Sequence, residues 1–208
     1  MSRPRKRPQE IAQTRKHILR AAARLFASKG VAASSMQEIA EAAGYSAPSL
    51  YSYFKGKQTI IDELVTTIIG EAEALFDVTF PSGLTLRQKL ELLLRHHNAW
   101  AEDHRDVFLF LVQRPPPVVQ DGRTHADVTA TLVGRMAAWL EANDDADELS
   151  GHSIDFLAHM LWGMRKMLFL RWVRSDNDGA LNDSLSEMLD FFFYGVAGPP
   201  AGDRDAST

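Results

Sequence analysis

Apolar residues recur every three or four positions from residue 9 to about residue 197, and nowhere do they alternate long enough to make a strand. Side chains at that period share one face of an α-helix, so the chain is predicted to be all-α. Residues 9 to 28 place Ile11, Ile18, Ala22, Leu25 and Phe26 on one face, and Gly30 follows as a C-terminal cap. Ser35 and Glu38 form an S-x-x-E capping box that opens a second, short helix reaching Ala43, where Gly44 stops it. Ser46 is the next N-cap, with Pro48 at the second helical position, where its missing N–H costs little. Longer helices are expected over 57 to 77, 85 to 103, 106 to 113, 121 to 143, 152 to 174 and 180 to 197, nine in all. "FPSG" at 80 to 83, "RPPPVV" at 114 to 119 and the acidic "DDADELSG" at 144 to 151 separate them.

Charge divides the chain. Residues 1 to 57 hold 11 Lys/Arg against 3 Asp/Glu, whereas residues 58 to 208 hold 12 against 24, giving the net of -4. A basic quarter on an acidic remainder points to a polyanion as partner of the first part alone. There is no cysteine, which removes disulfides, thiol nucleophiles and thiolate metal sites. The start "MSRPRKRPQE" has no apolar core, so it does not read as a signal peptide. No run approaches the roughly 18 apolar residues of a membrane helix. A cytoplasmic protein with no membrane partner is expected.

The stretch "GYSAPSLYSYFKGK" at 44 to 57 has little to bury and much hydroxyl and aromatic surface. On a helix, Ala47, Leu50 and Phe54 fall on one side. Pro48, Ser49 and Ser52 fall opposite, flanked by Tyr51 and Tyr53. Leu50 and Phe54 can clip this helix onto the two before it, leaving an outer face that is small, polar and free of acid. Helix, glycine-containing turn, second helix is the helix-turn-helix plan, whose second helix enters a DNA major groove.

Over about residues 11 to 61 the chain resembles the TetR family of bacterial transcriptional repressors. The likeness rests on three fixed spacings: Ala21, Ala22, Leu25, Phe26 and Gly30; Ser35, Ile39, Ala40, Ala43 and Gly44; Ser46, Leu50, Tyr51, Tyr53, Phe54 and Lys57. The resemblance implies an N-terminal three-helix DNA-binding domain over 11 to 57 and a helical ligand-binding and dimerisation domain over 58 to 197. A basic flexible arm (1 to 10) and a disordered tail (198 to 208) flank them. It implies that Tyr51 and Tyr53 contact phosphate and that Lys57 grips another at the start of the fourth helix. Ser35 would offer its backbone N–H to phosphate, and Ala47, Pro48, Ser49 and Ser52 would touch bases beside the capping Ser46. Gln37, exposed on the second helix, is the one side chain here suited to bidentate base readout, and Glu41 on the same face opposes it. Arg3, Arg5, Lys6 and Arg7 are either a minor-groove arm or a solvated tail that raises local cation density.

The larger half holds the acid excess and most bulky side chains. The helix "FLAHMLWGMRKMLFLRW" is apolar nearly all round, with a polar strip at Asp155, His159 and Lys166, so it is expected to be sandwiched. Phe156, Gly163, Met167, Leu185, Leu189, Phe192 and Phe193 on the last two helices are either intrachain core or, as the resemblance implies, a homodimer interface. His96, Trp100, Phe108, Phe110, Met136, Trp139, Met160 and Met164, with His97, His104 and Trp162 nearby, are either plain core or the lining of a site for a small apolar or aromatic inducer. Asp155 and His159 lack a third metal ligand, so no metal and no cofactor is expected. No nucleophile–base set or phosphate loop stands out, so an enzyme is not expected. The expected function is a DNA-binding repressor, homodimeric on a palindrome and released by an inducer. An inducer-independent regulator or an activator is the alternative.

Overall fold

A computed structural model of the chain describes residues 7 to 113, 125 to 175 and 181 to 195. Among these the regular structure is helical throughout: α1 (Pro8–Lys29), α2 (Met36–Ala42), α3 (Ala47–Tyr51), α4 (Lys57–Ala74), α5 (Leu86–Asp103), α6 (Arg105–Gln113), α7 (His125–Asn143), α8 (Ile154–Arg174) and α9 (Leu185–Tyr194). Nine α-helices match the sequence reading, with a 3-10 turn, Leu181–Ser184, ahead of the last. Arg3, Arg5 and Lys6, the triple proline and the tail from 198 lie outside the described residues.

Most helix ends follow local chemistry. Pro8 opens α1, and the Gly30 N–H donates to the Phe26 carbonyl at 2.9 Å in a left-handed turn with φ 82°. Ser35 and Glu38 close their box: the Ser35 N–H donates to the Glu38 carboxylate at 2.8 Å, and the Glu38 N–H donates to Ser35 Oγ at 3.2 Å. Thr85 and Gln88 form a second such box before α5. Elsewhere distant side chains decide. α4 stops at Ala74 rather than residue 77, and Arg135 from α7 donates to the Glu73 carbonyl at 3.0 Å there. The expected single helix over 180 to 197 is shorter. Its first turn is 3-10, with the Leu181 N–H held by the Glu102 carboxylate at 3.0 Å, and Gly195 at φ 67° ends it.

The helices form two compact units. The first comprises the described residues within Met1–Gly70 and His104–His125, the second those within Glu71–Asp103 and Ala126–Thr208. This differs from a boundary at residue 57. α4 as far as Gly70 and all of α6 belong with the N-terminal helices, α6 packing on α1 with Phe110 against Phe26, centroids 5.4 Å apart. The first unit's core is Ile18, Ala22, Phe26, Ile39, Leu50, Phe54 and Ile60, all nearly inaccessible. The second closes around Leu90, Leu93, Leu94, Met136, Leu140, Leu161 and Leu189.

Candidate nucleic-acid interface and interior of the second unit

Five residues are too few to hold a helix unaided, so α3 owes its existence to packing. Leu50 is fully buried and Phe54 nearly so, while Ser46 Oγ accepts the Ser49 N–H at 3.4 Å. Before it, the left-handed Gly44 (φ 72°) reverses the chain out of α2. Arg15 of α1 locks the far end: its guanidinium pairs with Glu63 of α4, donates to the Tyr53 carbonyl and lies 4.2 Å above the Phe54 ring. That brace was not anticipated from sequence. A lone Arg on a helix has no local signature of a partner on a helix so far along the chain.

With Leu50 and Phe54 turned inward, the opposite edge is open. Ser46, Pro48, Tyr51 and Ser52 are exposed, Ala47, Ser49 and Tyr53 half-buried. The Ser52 hydroxyl donates to the Ser49 carbonyl at 2.6 Å, leaving its lone pairs outward. Tyr53 sits in an aromatic row, 6.3 Å from Tyr45, whose own ring edges His17 at 6.4 Å. Gln37 is exposed as expected, but its amide donates to Glu41 at 3.1 Å, so reading a base requires breaking that tether. Ser35 is exposed at the start of α2, but its N–H is already taken by Glu38. Lys29 first, then Ser35, hold the Glu38 carboxyl down at about 2. Arg7 stands at the head of α1, its N–H donating to Glu10 at 3.1 Å, not in a free arm.

Lys57, expected to grip phosphate, is engaged within the chain. Its ammonium donates to the Val31 carbonyl at 2.9 Å and the Ser34 carbonyl at 2.7 Å, tying α4 to the turn between α1 and α2. The exposed cation at that corner is its neighbour, Lys55.

In the second unit the expected inducer lining scatters. Phe108 and Phe110 belong to the first unit instead. Met160 is 44% exposed on the outer side of α8. His96 is exposed while its neighbour His97 is buried, because α5 turns 100° between them. Met136 and Trp139 are core residues, with Met164 and Trp162 packed against that core. Trp100 donates its indole N–H to Glu71 at 3.1 Å. The expected interface set divides too. Leu185 and Leu189 are buried in the chain's own core, and Phe192 and Phe193 pack against it half-buried. Phe156 (59% exposed), Met167 (66%) and Gly163 face outward with Met160, and α9 adds Phe191 and Tyr194. Asp155 and His159 approach to 3.4 Å, but no group of three metal-ligating side chains occurs among the described residues. No helix of the described residues is long and apolar enough to cross a membrane.

Comparison with known proteins agrees with this geometry. Residues 18–64 match the profile of bacterial regulatory proteins of the tetR family. The HTH-type transcriptional regulator AcrR of Shigella flexneri is 42% identical over 80 residues, 37% of either chain. The HTH-type transcriptional repressor KstR2 of Rhodococcus jostii is 35% identical over 80 residues, 38% of this chain and 39% of its own. The chain thus aligns with well under half the length of these relatives. Its fold is shared further: the transcriptional regulator FadR of Bacillus subtilis, solved with stearoyl-CoA, superposes with a TM-score of 0.70 at 19% identity, covering 87% of this chain and 98% of that one. Residues 18–64 thus carry the helix-turn-helix block of the tetR family of bacterial regulatory proteins, within an all-helical fold that the chain shares with solved regulators.

Proposed function

We propose that the chain is a homodimeric transcriptional repressor that reads a palindromic operator with α3 and is released by a small molecule bound in the second unit. The observation that carries this reading is the open Pro48–Ser52 edge, exposed and acid-free on a helix that its own core holds rigid. Tyr51, Tyr53 and the cation at Lys55 flank that edge in position to hold sugar-phosphate. The edge offers no Arg or Asn, so base discrimination falls to van der Waals contact, thymine methyls, DNA shape and Gln37. One α3 covers few base pairs, so two copies about 34 Å apart are needed to read a site of useful length. The outward apolar face of α8 and α9 supplies the surface for that pairing.

Effector control requires that the ligand bind the DNA-incompetent geometry more tightly than the competent one. α4 begins in the first unit and ends in the second, which makes it the covalent route for such coupling. The Bacillus subtilis regulator of the same fold was solved with stearoyl-CoA, which supports a small-molecule effector here. The test is selection of bound sequences from random DNA, followed by titration at two salt concentrations. A palindromic consensus with affinity falling steeply in salt is expected. Failure to enrich any sequence, or affinity indifferent to salt, overturns the reading.

A further inference from the structure

The second unit contains a cation that its own side chains do not neutralise. Arg165 lies on the inner side of α8, at the helical spacing that carries Ala158, Leu161 and Trp172 into the core. Protein encloses its guanidinium, and that desolvation pushes its pKa down to about 10, so it remains charged at neutral pH. The side chain is enclosed without being sealed, since it keeps part of its surface accessible. No carboxylate among the described residues pairs with it, and its polar contact is a long one, Nη1 to His97 Nδ1 at 3.5 Å. Arg135 shows what the same core does with a compensated charge. It holds Asp77 and the Glu73 carbonyl and sits 5.8 Å over the Phe76 ring, which in turn edges His97 at 4.8 Å.

His97 cannot supply the missing negative charge, and its state sharpens the demand for one. Burial first, then the charge on Arg165, hold it neutral, down at about 3, against a small opposing pull from the Leu75 backbone. Facing an arginine N–H, Nδ1 must be the acceptor, which leaves the proton on Nε2. That Nε2 is buried, and the partner at hand is the Leu75 backbone, outside ordinary hydrogen-bond geometry. Trp162, one turn before Arg165 on α8, and Trp139 on α7 have buried indole N–H groups without a hydrogen bond among the described residues. Among the described residues of this unit these indole N–H groups are donors without acceptors, set in apolar surroundings. Unmatched buried donors and an unpaired buried charge are each costly. An anion supplies the missing charge, and the guanidinium fork fits carboxylate or phosphate oxygens in a bidentate pair.

We infer that the effector of this unit is an anion: an apolar compound carrying a carboxylate or phosphate whose oxygens pair with Arg165. The inference rests on the reading of this unit as the effector-binding half. It replaces a purely apolar inducer with an apolar acid.

The experiment uses the full chain, with tryptophan fluorescence and thermal shift as readouts. Hexanoate, decanoate and phenylbutyrate are titrated against their alcohols, with decyl phosphate as the phosphate arm. At least one anion is expected to bind roughly 10- to 100-fold more tightly than its alcohol, the worth of a charge-assisted hydrogen bond. Whether carboxylate or phosphate wins separates the two sources. Arg165→Met is expected to erase that preference while retaining alcohol binding, and to melt higher than the parent when empty, because an uncompensated charge has gone. Arg165→Lys keeps the charge without the fork and is expected to fall between. Equal binding of acid and alcohol, unchanged acid binding in Arg165→Met, or a lower melting temperature of the empty variant overturns the inference. Binding of no compound overturns it as well. If neutral compounds alone bind and release DNA, the repressor reading stands while the anionic effector falls.

Discussion

At the scale of single residues, two lysines two positions apart do different work. Lys57 satisfies the carbonyls of Val31 and of the buried Ser34. The Val31 carbonyl keeps the Ser34 N–H, so Lys57→Ala strands the Ser34 carbonyl and is expected to destabilise the first unit by about 1–3 kcal/mol, as read by chemical denaturation. Lys55→Ala is expected to leave stability unchanged and to lower the slope of log affinity against log salt by about 1 per half-site. Equal effects of the two on stability would refute this division. His97 makes a pH prediction. Its folded pKa, about 3, lies below the ordinary 6.5, so the unfolded chain binds a proton that the folded one refuses. Its contribution is complete above pH 6.5 and is lost as pH falls from there toward 3, at up to about 1.4 kcal/mol per pH unit. His97→Phe should flatten thermal stability against pH in that window, and an unchanged slope would exclude His97 as its source. None of these roles was written in sequence order. The Ser35–Glu38 box was legible because both partners sit within four residues. The anchoring of Lys57, the Arg15 brace and the choice of His97 over His96 depend on helices far apart in the chain.

At the scale of elements, helix existence was legible and helix ends were legible only where a cap is local. Gly30, Ser35, Ser46 and Thr85 mark ends that backbone chemistry alone enforces. α4 and the last helix ended elsewhere than expected because Arg135, Glu102 and Gly195 act there. The expected interface set on α9 divides between core and surface for a related reason. One broad apolar arc serves both the core (Leu185, Leu189) and the outside (Phe191), and composition cannot say where it divides. The turn before α3 gives a test at this scale. Gly44 stands at φ 72° with open space where a Cβ would go, so substitution strains the backbone alone. Gly44→Val is expected to cost about 1–2 kcal/mol, whereas Gly44→Asn, which tolerates that conformation, costs less. Because α3 has only five residues and depends on this reversal, Gly44→Val should also weaken DNA binding beyond what its stability loss explains. Operator affinity measured well below the variant's melting temperature checks this, and parental affinity there would show that α3 holds its place without the turn.

At the scale of the whole molecule, the separation of buried from exposed apolar residues decides how two copies could meet. α8 carries Ala158 and Leu161 inward to the core, and Phe156, Met160, Gly163 and Met167 outward to solvent. Three large apolar side chains along one exposed face of one helix, continued by Phe191 and Tyr194 on α9, make a contiguous patch only if these helices are neighbours. The second unit's compactness and the shared core of α8 and α9 put them in one body. Such a patch is out of place on a lone soluble chain and in place at a two-fold interface, where the same surface meets its own copy. Met167→Asp, at the most exposed of these positions, is expected to convert a micromolar dimer to a monomer by sedimentation while leaving helical content and cooperative melting intact. Leu189→Asp, on the buried side, is expected to unfold the second unit instead. Loss of the dimer removes the tether between two reading helices, so affinity for a palindrome should fall roughly 100-fold or more while affinity for a single half-site holds. A Met167→Asp protein that stays dimeric, or one that loses half-site and palindrome binding alike, would place the pairing surface away from α8 and leave that apolar face to another partner.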